Sequence, residues 1–209
     1  MEIKNILKES VIVLVAALVL SATISFKENS LLLYSAISFL IIISANVITK
    51  KIIGYFLEIG IKIKFWEWYH YGLKSSSHFK RPIPMLWFPL ILSLISKGMA
   101  WWLAILEFDV TAKVERVSKR HGLYRFTEVT EWHVGAIAFW AIIVNVILAL
   151  IAYFAGFEMF TKLSIYFVAW SIIPLSSLDG TKIFFASRKI WATMALIIGV
   201  LTVWGIAIV

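Results

Sequence analysis

Cysteine and glutamine are both absent from the 209 residues. Without cysteine there is neither a disulfide framework nor a thiolate zinc site. The missing glutamine, beside abundant Lys and Ile, leans toward a thermophilic origin, although AT-rich codon usage gives the same bias. Charge is scarce as well. Asp, Glu, Lys and Arg make up 15% of the chain against 61% hydrophobic residues, and mean hydropathy is +0.90. A soluble domain is nearer half apolar, so the chain reads as an integral membrane protein. Its long apolar runs do not alternate, and this favours helices over a closed barrel, the other architecture that satisfies the backbone in lipid. The two halves show no inverted repeat, which argues against a secondary transporter.

Apolar runs of about 20 residues mark membrane spans. Six are expected: residues 11–26, 31–57, 84–106, 132–155, 160–186 and 190–209. The fifth is expected to break near Asp179. The fold class is thus an all-α polytopic membrane protein, one domain over 1–209, with small β segments at the membrane surface. Met1 to Ser10 precede the first run without a cleavage-site pattern, so that run reads as a retained helix. Ile61, Ile63 and Phe65 alternate with Lys62 and Lys64, a strand period, within a mixed segment at 59–81. Phe108, Val110 and Ala112 alternate with Asp109, Thr111 and Lys113. This second segment, 107–131, reads as a local β-hairpin returning over Leu123 to Thr130. Trp66, Trp68, Trp101 and Trp102 read as interfacial aromatics. Net charge is +8. It is assigned to loops near anionic lipid, including Arg116, Lys119, Arg120 and Arg125, and not to nucleic-acid binding. The Lys/Arg distribution leaves sidedness open.

Asp179 is an ionisable group near membrane depth, hence a candidate functional residue that needs a partner. It lies in Ser171-Ile-Ile-Pro174-Leu-Ser-Ser-Leu178-Asp179-Gly180. This stretch resembles the N-x-x-P-x-x-x-L-D-G segment of the site-2 protease family of intramembrane zinc metalloproteases. Ala141-Ile-Ile-Val-Asn145 occupies the place of that family's G-P-x-x-N. The long second span and the Trp-rich strand-like segment after it also match in order, so the resemblance covers residues 31–191.

The resemblance implies a site-2-protease-like core. It also implies an H-E-x-x-H motif in the second span, where two His at i and i+4 share a helix face and bind Zn²⁺ with the Asp of L-D-G. The Glu serves as general base on the bound water. This sequence has Asn46-Val47-Ile48-Thr49-Lys50 there. Asn46 and Lys50 replace the ligands and Val47 replaces the base. No two of His70, His78, His121 and His133 are spaced for one helix face. The expectation is no catalytic residues and no cofactor, with Asp179 as a zinc ligand only in the alternative of an active protease with atypical ligands.

Lys50, one turn beyond Asn46, is the expected partner of Asp179, with Lys97 as rival. The bland reading of both lysines is snorkelling to the surface. Asn145, Ser171 and Lys97 are the expected polar residues of a groove, and Asn145 reads as an interhelical hydrogen-bonding residue. The functional expectation is a pseudoprotease in a prokaryotic cell membrane that binds a transmembrane helix or partner protein without cutting it. A scaffold subunit of a larger complex is a further alternative.

Overall fold

A computed structural model describes residues 2–26, 29–70, 78–113 and 129–207. The helices are α1 (Glu2–Ile24), α2 (Leu32–Phe56), α3 (Phe88–Ile95), α4 (Glu131–Phe154), α5 (Glu158–Ser171), α6 (Asp179–Ala186) and α7 (Arg188–Ala207). The strands are β1 (Ile59–Phe65), β2 (Glu67–His70), β3 (His78–Pro84) and β4 (Leu106–Ala112). Four helices, α1, α2, α4 and α7, are long and apolar enough to cross a bilayer, and they point to a membrane protein.

The third expected span is corrected. Helix α3 has eight residues, and the chain leaves helical geometry at Lys97 and Gly98, both at positive φ. Residues 99–105 are non-helical and feed β4. The fifth expected span is two short helices, α5 and α6, around a break at 172–178. Pro174 supplies the physical reason, since a proline disfavours helical geometry at the residue before it. The carbonyl of Ile172, freed by the break, accepts from the Trp191 indole at 2.9 Å.

Helices α1 and α2 form an antiparallel pair, with Ser25 meeting Ser35 at one end and Glu9 meeting Lys51 at the other. Short α3 docks on α1 through Ser93 Oγ, which donates to Thr23 O at 3.0 Å. Helix α4 packs on α2, α5 and α6. Its start is fixed by Thr130, whose hydroxyl lies 2.6 Å from His133 Nδ1 in a capping box. The apolar core between the helices includes Leu20, Phe39, Ile42, Ile137 and Ile142.

The alternating segments are strands, and among the described residues they pair with one another. β4 pairs antiparallel with β1, with Lys62 opposite Asp109, Ile63 opposite Phe108 and Lys64 opposite Glu107. One face therefore carries Ile59, Ile63 and Phe108 into the core, and the other carries opposite charges face to face. The expected return strand, Leu123 to Thr130, lies outside the described residues except for its last two positions, and so do Arg116, Lys119, Arg120, His121 and Arg125. β2 and β3 form a second antiparallel pair. Trp66 is corrected from an interfacial position. It is fully buried, 5.6 Å from the stacked ring of Trp102, in a cluster with Trp68, Ala104 and Leu178.

Candidate functional site

The site is assembled by the break after α5. Leu178 is buried and anchors the turn, and Asp179 opens α6. Gly180 follows because the chain passes itself too closely for any side chain. A Cβ there would lie 2.1 Å from Ile172 O and 2.7 Å from Ile173 O. Gly135 does the same on α4, where a Cβ would meet Ala186 at 2.2 Å and Lys182 O at 3.0 Å. These two glycines let α6 lie against both the break and α4.

Lys50 reaches Asp179 from α2. Its Nζ is 2.7 Å from Oδ2 and donates to Oδ1 at 3.0 Å. Both side chains are buried, at 3% and 6% exposure, so the ammonium spans the carboxylate out of water. Phe108 from β4 closes the site, with its ring centroid 4.8 Å from Lys50 Nζ. Lys182, one turn into α6, donates to Phe108 O and lies over the same ring. Beside the pair is a void of about 10 Å³, lined by Asn46, Lys50, Phe167, Ser171, Leu178 and Asp179. It has room for about one water.

The structure thus brings together Asn46, Lys50, Ser171 and Asp179. Asn46 Nδ2 donates to Ala141 O at 3.4 Å, which ties α2 to α4. Ser171 Oγ donates to Phe167 O at 2.8 Å within its own helix. Val47 does not line the void; it faces the groove between α1 and α2. Lys97 is corrected: it is exposed in the turn after α3 and takes no part in the site. Asn145 is fully buried, yet its amide has no hydrogen-bond partner among the described residues. The interhelical bond at that position uses its main-chain oxygen, which accepts from Ser164 Oγ at 3.0 Å.

The zinc ion implied by the resemblance does not fit this donor set. Both oxygens of Asp179 face an ammonium, which repels a dication, and the Asn46 amide nitrogen is directed to a main-chain carbonyl. His133 takes part in the cap of α4 through Nδ1.

Sequence reasoning did not find Lys182, Phe108 or Gly135. Lys182 carried a signal, being three residues after Asp179 on the same helix face. Phe108 carried none, because the β1–β4 pairing that delivers it is non-local.

A second charged cluster lies on the outer face of the β1–β4 sheet. Lys64 Nζ is 3.0 Å from both Glu107 Oε1 and Asp109 Oδ2. Burial alone would lower the Lys64 ammonium, but its bonds to Asp109 and Glu107 outweigh this and raise it. Glu107 is 1% exposed, and burial pushes its carboxyl above the ordinary value despite Lys64.

No family model matches the chain, and no curated protein or solved structure is significantly similar to it.

Proposed function

We propose that this protein is a non-catalytic relative of the site-2 proteases, lodged in a prokaryotic cell membrane, that holds a transmembrane helix without cutting it. The observation that carries the reading is the Lys50–Asp179 pair. The ammonium takes the place of the metal opposite the L-D-G aspartate, and Val47 stands where a general base would be needed. One surface feature supports a transmembrane partner. An apolar cleft of about 150 Å³ opens between α4, α6 and α7, and Gly135, Ala136 and Ala186 are among its walls. Small residues let helices approach closely in lipid, where packing drives their association.

Two measurements test the reading. Metal analysis of the purified protein is expected to give far less than one zinc per chain. The double variant Asn46→His/Lys50→His is expected to bind about one, and to lose it when Asp179→Ala is added. A stoichiometric zinc in the unaltered protein, with hydrolysis of a membrane-helix substrate, would overturn the proposal. Failure of the double variant to bind zinc would remove the family resemblance beneath it. For the partner, a photo-crosslinking side chain at Ala136 in native membranes is expected to trap an uncut membrane protein. Its absence, with adducts to lipid alone, counts against helix binding.

A further inference from the structure

On the side of α2 away from Asp179, two cavities join end to end. The first, about 460 Å³, is bordered by Glu9, Lys51, Tyr55, Lys62 and Lys113 at the end of α2 and the edge of the β1–β4 sheet. The second, about 420 Å³, runs down between α1 and α2 past Val13, Leu14, Leu40, Ser44 and Ile48. They share Ile6, Glu9 and Lys51. Three ammonium groups and one carboxylate therefore border the head of a groove whose stem is apolar.

The charges are not all spent on one another. Glu9 holds Lys51 and accepts from Ile63 N at 3.2 Å. Lys62 is exposed and has no carboxylate within ion-pair distance among the described residues. Asp109, its cross-strand neighbour, is taken by Lys64 at 3.0 Å. Lys113 Nζ lies 5.2 Å from the centroid of the Tyr55 ring. Lys62 and Lys113 are thus available to an anion. Length fits as well. From Lys51 to Leu40 is about 16 Å along the helix at 1.5 Å per residue, roughly half of a hydrocarbon core of about 30 Å. A site basic at one end and apolar for one leaflet's depth matches an amphiphile with a negative head.

We propose that this composite cavity binds one anionic glycerophospholipid. Its phosphate sits between Lys51, Lys62 and Lys113, and one acyl chain lies in the α1–α2 groove. Basic pockets beside membrane helices select such headgroups over zwitterionic ones. The occupant is independent of the partner-binding proposal, because the two surfaces share no residues.

The test uses the full chain, delipidated in non-ionic detergent. Phosphatidylglycerol is expected to raise the unfolding temperature by several degrees more than phosphatidylcholine with the same chains. Glycerol phosphate alone is expected to give no shift. Lys62→Ala/Lys113→Ala should erase the difference between the two lipids, and Ser44→Trp should remove the response to both. Equal shifts for the two lipids would overturn the proposal, as would an undiminished preference in the double lysine variant. A full shift with glycerol phosphate alone would make it a site for free phosphate instead. Native mass spectrometry of the unaltered protein gives a reading that needs no variant. One phosphatidylglycerol held in preference to phosphatidylcholine is expected, and no preference overturns the assignment.

Discussion

Lys50 and Asp179 are 129 positions apart, and their meeting shows what a membrane sequence discloses about single residues. Both are charged groups in or beside apolar runs, where charge is expensive and demands a partner. Few carboxylates are available for such a role, so the field of partners is narrow. Asn145 was legible to the same degree as a polar residue in a span, but its use was not. Sequence spacing cannot tell whether an amide side chain or the main chain beneath it makes the interhelical bond.

Energetics at this scale follow from desolvation. Removing one member of a buried pair leaves the other charge unpaired, at a cost of about 3–5 kcal/mol, whereas replacing both with apolar groups of similar size is often near neutral. Lys50→Met is therefore expected to lower the unfolding temperature in detergent sharply. Lys50→Met/Asp179→Leu should recover much of that loss. Simple additivity of the two single changes would show that the charges are not coupled.

Among elements, glycine geometry and strand pairing decide where α6 and the sheet sit. Gly180→Ala pushes a methyl into two main-chain carbonyls, so α6 must move and carry Asp179 with it. Gly199, inside α7, has nothing within 4 Å of its would-be Cβ. There Ala is expected to be neutral or to stabilise by up to about 1 kcal/mol, the helix-propensity difference. Comparing the two variants by thermal unfolding separates close approach from propensity. Equal behaviour would remove the reason given for glycine in L-D-G.

The strands themselves were legible from their alternation, because a period of two is written locally. Their partners were not. β1 and β4 are separated in the chain by β2, β3, α3 and the non-helical stretch 96–105, and opposite charges at Lys62, Lys64, Glu107 and Asp109 match only once the register is known. That register buries Glu107 and sets a pH response. Its raised pKa means the folded chain holds the proton more tightly than the unfolded one. The resulting stabilisation is complete below the ordinary value of 4.5 and is lost as pH rises through the raised value. Lys64 and Lys182 oppose the shift and Asp109 adds to it. The unaltered protein should therefore gain on Glu107→Gln as pH falls from 7 toward 4.5, measured as the difference in their unfolding temperatures. A difference constant over that range would show that Glu107 does not titrate differently in the two states.

For the whole molecule, hydropathy revealed the helices that are long, and overcounted where an apolar run was interrupted. Residues 84–106 are apolar enough for a span, but the left-handed turn at Lys97 and Gly98 diverts the chain into a strand. The relative sides of the molecule now follow from contacts. Helix α2 ends beside the sheet, and Asn46 meets Ala141 one level below the Lys50–Asp179 pair. Gly135 lies against α6, whose Lys182 reaches Phe108 in that sheet. Helix α4 therefore starts at the sheet end and runs away from it, which puts the α4–α5 turn at Gly156 on the far side. The turn between α1 and α2, where Ser25 meets Ser35, lies at the end of α2 away from the sheet. Because the chain has no cysteine, one introduced thiol reports a position without background. Lys62→Cys and Gly156→Cys are expected to react with a membrane-impermeant maleimide from opposite faces of sealed, oriented vesicles, and Ser30→Cys from the same face as Gly156→Cys. Labelling of Lys62→Cys and Gly156→Cys from one face would mean that α4 does not cross the bilayer. The cleft and the lipid groove would then have to be reassigned to a surface lying on the membrane.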